Sequence, residues 1–248
     1  MEAPLNSRSS RYPSAPDNGP FYWVSPRHLA GDDGVFADRI SDTLTESGWM
    51  SWTTARSTLL FLSRTGLCGA EWIRTDNAFL LGGLPVAWQI SARTHRDSAL
   101  AEWNAYFTTG TPPEAVADFL LAVEARTDPA VNYGERETVL SALSDRGWPR
   151  DYDHPETTAW DPGLSAGFTC GPLPEGIQDG DPRPDLTGWQ AWAEPVLGSP
   201  YLWAATFSAS VPHELVAAFA SSVASPAPVQ RRTLPELAAG RLTFSLTG

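Results

Sequence analysis

AEWNAYFTTGTPPEAVADFLLAVE, residues 101–124, lies over YLWAATFSASVPHELVAAFASSVA, residues 201–224, without a gap at an offset of 100. Nine of 24 positions are identical: Trp103/Trp203, Ala105/Ala205, Phe107/Phe207, Pro112/Pro212, Glu114/Glu214, Val116/Val216, Ala117/Ala217, Phe119/Phe219 and Val123/Val223. The first identities fall on every second residue, the period of a strand with Trp, Ala and Phe on one face and Asn104 and Tyr106 on the other. Thr111-Pro112-Pro113-Glu114 then reads as a helix start, with Thr111 as N-cap, Pro at the first helical position and Glu three residues after the cap. Val116, Phe119, Leu120 and Val123 recur at steps of three and four, one apolar stripe on a helix. Val216, Phe219 and Val223 repeat the stripe, although Val211 stands where the capping Thr would be. The shared positions are the inward ones, so strand face and helix face are expected to pack on each other.

The repeat extends upstream. DTLTESGW, ending at Trp49, matches SALSDRGW, ending at Trp148; Trp88-Gln89 meets Trp189-Gln190, and Cys68-Gly69 meets Cys170-Gly171, with the offset drifting only from 99 to 102. Ala37–Ser47 and Glu137–Arg146 read as short helices, each stopped by Gly and then Trp. Thr58–Leu62, Ala70–Arg74 and Val86–Ala92 read as strands between turn residues. The expected fold class is α+β: a tandem duplicated repeat, each copy a helix, about four antiparallel strands and a helix, packed with pseudo-twofold symmetry. The expected divisions are a mobile N-terminal tail at 1–22, repeat 1 at 23–126, repeat 2 at 127–226 and a C-terminal extension at 227–248. Repeat 2 holds an expected long loop from Pro172 to Thr187, and Thr127–Gly134 is the expected linker.

The 248 residues carry 17 basic and 29 acidic side chains, a net charge of -12, and every basic residue is Arg. Residues 1–125 have nine Arg and 14 acids, and 126–248 have eight and 15, so neither half is a basic domain. A charge of this sign opposes sequence-independent binding to a polyanion and leaves a local basic patch as the route to nucleic acid. The densest basic spots are Arg93, His95 and Arg96 in ARTHRD, and the pair Arg231 and Arg232, read as an Arg-bearing loop and a solvated tail. No apolar run approaches the roughly 18 residues of a membrane span, and the N-terminal residues lack a signal-peptide core, so a cytoplasmic location without membrane partners is expected. Two cysteines, Cys68 and Cys170, make neither a disulfide framework nor a four-ligand zinc site.

VSPRHLAG (Val24–Gly31), the Gly48-Trp49 that closes the first helix, and the Trp-x-Ala-x-Phe strand followed by Pro-x-Glu and an apolar helix together resemble the SPDY-type domain, family 317 of domains of unknown function. The resemblance spans about residues 23–226 in two copies. It implies a source among high-GC filamentous bacteria, which suits an all-Arg, Pro-rich composition. It implies no catalytic residue and no cofactor.

Three motifs bear on chemistry. Gly163-Leu164-Ser165-Ala166-Gly167 fits G-x-S-x-G, with Asp185 and His213 following in hydrolase order, but the motif sits between Trp160-Asp161-Pro162 and a strand-like Phe168-Thr169-Cys170, where a nucleophile elbow needs a strand before and a helix after. A serine hydrolase is therefore the minor alternative to a protein without catalytic residues. Asp151, Asp153, His154 and Glu156 crowd one loop but lack a spaced partner, so no metal is expected. Eleven tryptophans raise an aromatic platform for bases. Six of them are repeat-equivalent and read as core; Trp52, Trp160 and Trp192 have no counterpart, and Tyr106 faces away from the helix. The expected function is a non-catalytic binding or regulatory protein without cofactor or small-molecule ligand, its partner an unknown macromolecule, protein or nucleic acid. Arg93, His95, Arg96, Tyr106 and Trp192 are the candidate partner-binding residues, on an exposed sheet surface or its rim. The alternatives are a single- or double-stranded DNA-binding protein using that surface, and an acidic immunity-like protein sequestering a basic partner.

Overall fold

The computed structural model describes residues 21–54, 58–73, 79–171 and 188–246. The expected tail lies almost wholly, and the expected loop at 172–187 wholly, outside these residues. The chain is a mixed helix and strand fold with antiparallel sheets throughout. In the first half, α2 (Phe36–Glu46) is followed by β2 (Met50–Thr53), β3 (Leu59–Leu62), β4 (Cys68–Trp72), β5 (Leu80–Leu81), β6 (Leu84–Ala92), β7 (Trp103–Thr108) and α3 (Pro113–Glu124). In the second, α4 (Arg136–Ser144) leads to β8 (Thr158–Trp160), β9 (Ala166–Gly171), β10 (Gly188–Ala193), β11 (Trp203–Ser208) and α5 (His213–Val223). One sheet runs through both halves in the order β2-β3-β4-β6-β7-β11-β10-β9-β8, with β5 hairpinned onto β6 through Gly82 and Gly83. Both glycines have positive φ, +58° and +80°, as the tight two-residue turn requires.

Each half-sheet meets the other at β7 and β11, where Tyr106 lies opposite Thr206. Trp88 faces Phe107 as Trp189 faces Phe207, and Ala92 faces Trp103 as Ala193 faces Trp203. These residues belong to one buried cluster with the apolar stripes of α3 and α5, so the expected strand-on-helix packing is observed. Phe107, Phe119, Phe207 and Phe219 meet there with ring centroids 5.3–5.6 Å apart. α2 and α4 end alike: Gly48 and Gly147 take positive φ, and the N–H groups of Trp49 and Trp148 bond back to Leu44 and Leu143.

Four expectations are corrected. Thr111 does not cap α3: its hydroxyl bonds back to Thr108 O, the N-cap is Pro112, and Glu114 is drawn to arginines instead. The Cys68–Cys170 anchor is out of register, because Cys68 lies opposite Ala92 while Cys170 lies opposite Trp189. The ladders match Phe61–Ala70–Ile90 with Ala159–Phe168–Ala191, so one phenylalanine volume is kept in each half but moves to the neighbouring strand. The first half has five strands across the sheet besides β5 where about four were expected; in the second, Pro149 and Arg150 leave only a bridge from Arg150 to Ala159 in the fifth place.

The fourth correction concerns Arg231. A second sheet seats β1 (Tyr22–Ser25) between β12 (Val229–Arg231) and β13 (Thr243–Leu246), with the four-residue α1 (Arg27–Ala30) behind it. Arg231 is no part of a solvated tail but has 0% exposure. It donates to Gly31 O at 2.9 Å and grips both carboxylate oxygens of Glu114 at 2.7 Å. A fork this planar and this buried is what arginine supplies and lysine does not.

Candidate functional site

Tyr106 and Trp192 stand on the sheet face opposite the helices, as their periodicity requires, but they are not exposed. Their exposures are 3% and 7%, because the β5 turn and Tyr201 fold over them. Phe79 meets Tyr106 edge-on at 5.2 Å, and Trp160 meets Trp192 edge-on at 5.3 Å. The niche among Leu81, Gly82, Trp192, Tyr201 and Ala204 encloses about 20 Å³, close to the room of a single water. No base can stack on rings so covered, which corrects the expected aromatic platform. Trp52 remains 44% exposed, and Trp160 gives its indole N–H to Asp151 Oδ2.

The G-x-S-x-G segment forms a turn, not an elbow. Asp161 Oδ1 accepts the N–H groups of Ser165 and Ala166, and Oδ2 accepts that of Gly163. The residue in left-handed conformation is Leu164, φ +54°, and Ser165 beside it is 1% exposed. His213 is committed elsewhere, its Nδ1 accepting from Trp189 Nε1 at 3.0 Å; Asp185 lies outside the described residues. Ser165 Oγ instead meets His28 Nε2 at 3.1 Å, a pairing across 137 residues that no local motif announces. Asp161 Oδ2 lies 3.7 Å from that same ring nitrogen, whereas a nucleophile–base–carboxylate chain needs the carboxylate on the far one. Burial pushes the His28 imidazole down to about 4, against the pull of Asp161. The cluster ties α1 to the turn before β9. In the 151–156 loop, Asp151 Oδ1 accepts the N–H groups of Asp153 and His154, and among the described residues no three ligand-type side chains gather for a metal.

Three arginines of the first half do gather. The turns 63–67 and 93–102 adjoin at one end of the half-sheet, joined by Arg93 N–H to Leu67 O. Arg96 Nε donates to Thr65 O, Arg93 bonds the carbonyl of Ser98, and Arg64 reaches Glu124 at 3.4 Å. Arg64, His95 and Arg96 are exposed and Arg93 half-buried. Arg64 is the member of this group that the sequence reading left out, since it stands 29 residues before Arg93 and shares no run with it.

The second half builds the same pair of turns. Ser63 Oγ accepts Cys68 N–H where Asp161 accepts Ala166 N–H, Gly66 takes positive φ where Leu164 does, and Glu194 N–H bonds Ser165 O where Arg93 N–H bonds Leu67 O. Backbone bonds thus align Arg64, Arg93, His95 and Arg96 with Pro162, Glu194, Val196 and Leu197. Glu194 is buried and accepts Gly198 N–H, and Arg241 closes over this end by bonding Gly163 O and Pro195 O. The second half's turns contain no arginine of their own; the exposed Arg241 that lies over them comes from the C-terminal segment.

Among known proteins, the family model described as SPDY: Domain of unknown function (DUF317) matches residues 62–130 and 175–229, narrower limits than the resemblance suggested. No curated protein and no solved structure matches the chain.

Proposed function

The chain belongs to the SPDY family of domains of unknown function (DUF317), and from that premise we propose that it is a non-catalytic binding protein whose contact surface is the arginine end of its first half. The two matched segments represent two copies of one unit, related by a pseudo-twofold axis between Tyr106 and Thr206. The equivalent ladders and turns of the two halves support that arrangement. One observation carries the binding role. Equivalent turns hold three arginines and a histidine in one half and none of their own in the other, so the turn architecture does not by itself require this cluster, whatever backbone oxygens its members also bond.

An anionic partner suits them, because guanidinium groups on adjoining turns present forked donors to phosphate or carboxylate oxygens. DNA, single-stranded or duplex, is the partner class put first. The platform then meets the backbone by charge and donors, not by stacking, since Tyr106 and Trp192 are covered. The net charge of -12 confines contact to this end and makes it sensitive to salt.

Fluorescence anisotropy with single- and double-stranded 20-mers at low salt tests the proposal. Binding should appear at tens of micromolar or below, fall as salt rises, and weaken at least tenfold in the Arg93→Ala/Arg96→Ala variant. That variant loses the bonds to Ser98 O and Thr65 O, so it should unfold somewhat earlier yet remain folded under the assay conditions, as circular dichroism will show. An absence of binding at tens of micromolar would sink the DNA reading.

A further inference from the structure

The two outer edges of the ten-stranded sheet can be matched through their neighbours. Ser51 pairs with Phe61 as Arg150 bridges Ala159. At the second edge the chain reads Pro149-Arg150-Asp151: a residue with no donor, then two charges, the devices that keep strand edges from pairing with other chains. At the first edge β2 reads Met50-Ser51-Trp52-Thr53, with no charge and no proline, and all four residues exposed. Phe61 lies in the helix-side core, so Ser51 opposite it faces the helices, while Met50 (57% exposed) and Trp52 (44%) face away. Among the described residues no strand pairs with the outer side of β2.

We propose that β2 docks a second copy of this chain, edge to edge and antiparallel, about a twofold axis at Ser51. Residues directly opposite in an antiparallel pair share a face. With the axis at Ser51, Met50 therefore meets the partner's Trp52, and Trp52 meets the partner's Met50, on the face away from the helices. Two sulfur–indole contacts result, each favourable. An axis half a residue away would set Ser51 against Trp52 across faces and is excluded. Two chains of net charge -12 repel in general, yet the five residues Met50–Thr54 bring no charge to the seam. A segment fitted to itself, on the edge of the ten-stranded sheet that lacks these devices, points to a second copy in preference to a foreign strand. A four-residue seam falls short of the roughly 1,000 Å² of a stable complex, so the dimer is weak, with Kd on the order of 10–100 µM.

Sedimentation velocity on the full chain from about 5 to 300 µM brackets that range. The native protein should pass from monomer to mostly dimer. Trp52→Lys and Met50→Lys should each stay monomeric with unchanged circular dichroism. The double variant M50K/W52E sets opposite charges across both pairs of the register and should recover the dimer. A native chain that stays monomeric to about 300 µM overturns the proposal. So does a dimer indifferent to both single changes, or one that the charge pair fails to restore. The arginine variants of the binding surface leave this result unchanged, so the two readings stand or fall apart.

Discussion

Replacing Arg231 with methionine keeps most of the stem and removes the guanidinium. The native group makes four hydrogen bonds at 2.7–2.9 Å: two to Glu114, one to Gly31 O and one to Gln230 O. Breaking one partner of a buried pair costs about 3–5 kcal/mol, because the other charge is left uncompensated. Glu114 is not wholly stranded. Its side chain is 22% accessible and Arg39 still reaches it, which places the loss near the lower end, about 3 kcal/mol. For a chain of this size that lowers Tm by roughly 6–12 °C, read by scanning calorimetry at pH 7 and checked by urea unfolding. Adding Glu114→Gln to Arg231→Met removes the stranded charge, so the double variant should lose less than the sum of the singles. A loss below about 1 kcal/mol for Arg231→Met, or strict additivity with Glu114→Gln, would refute the clamp.

Other perturbations follow from the same geometry. A Cβ at Gly167 would lie 2.8 Å from Trp192 Cζ2 and 3.0 Å from the Trp160 ring; Gly167→Ala should cost about 1–3 kcal/mol and red-shift tryptophan fluorescence, and an unshifted spectrum would count against the covered niche. Leu164 holds φ +54° where the other half has Gly66, and it is half exposed, so Leu164→Gly should stabilise by about 0.5–1 kcal/mol; destabilisation in urea would contradict the strain. Burial holds His28 down to about 4, below its unfolded 6.5, so its contribution is complete above pH 6.5 and lost as pH falls toward 4. Burial, with Asp33 beside it, raises Asp32 from 3.8 to about 6, so that group erodes stability as pH rises across the same interval. Asp32→Asn should leave the His28 slope unopposed, and urea midpoints at pH 4.5, 5.5 and 6.5 should climb more steeply than in the native protein; parallel curves would dismiss the opposition.

Elements whose instructions are local were legible in the sequence. The alternation of Trp103, Ala105 and Phe107 and the stripe from Val116 to Val123 each lie within a dozen residues, and both faces pack as the spacing demands. Period two tells which face a side chain takes but not what covers that face. Tyr106 and Trp192 therefore stand on the side their spacing predicts but not in solvent, because a two-residue strand at Leu80–Leu81 folds across them. Identity also misleads where volume is conserved across strands: Phe61 against Ala70 is replaced by Ala159 against Phe168, while the Cys-Gly dipeptides match in letters and not in register. Contacts between distant segments leave no local pattern. Arg231 beside Arg232 reads as a charged tail, and only the fold brings Glu114, 117 residues away, onto it. Arg64 joined Arg93 and Arg96 for the same reason.

The clasp in which β1 lies between β12 and β13 also sets how the molecule responds to force. Tyr22 lies opposite Leu246 and Ser25 opposite Thr243, so the outward ends of these two strands leave the ladder side by side. A pull applied through both therefore peels the strands apart one rung at a time instead of shearing all rungs together. In an optical-trap record the clasp should open first and at low tension, baring the Arg231–Glu114 pair before the ten-stranded sheet carries load.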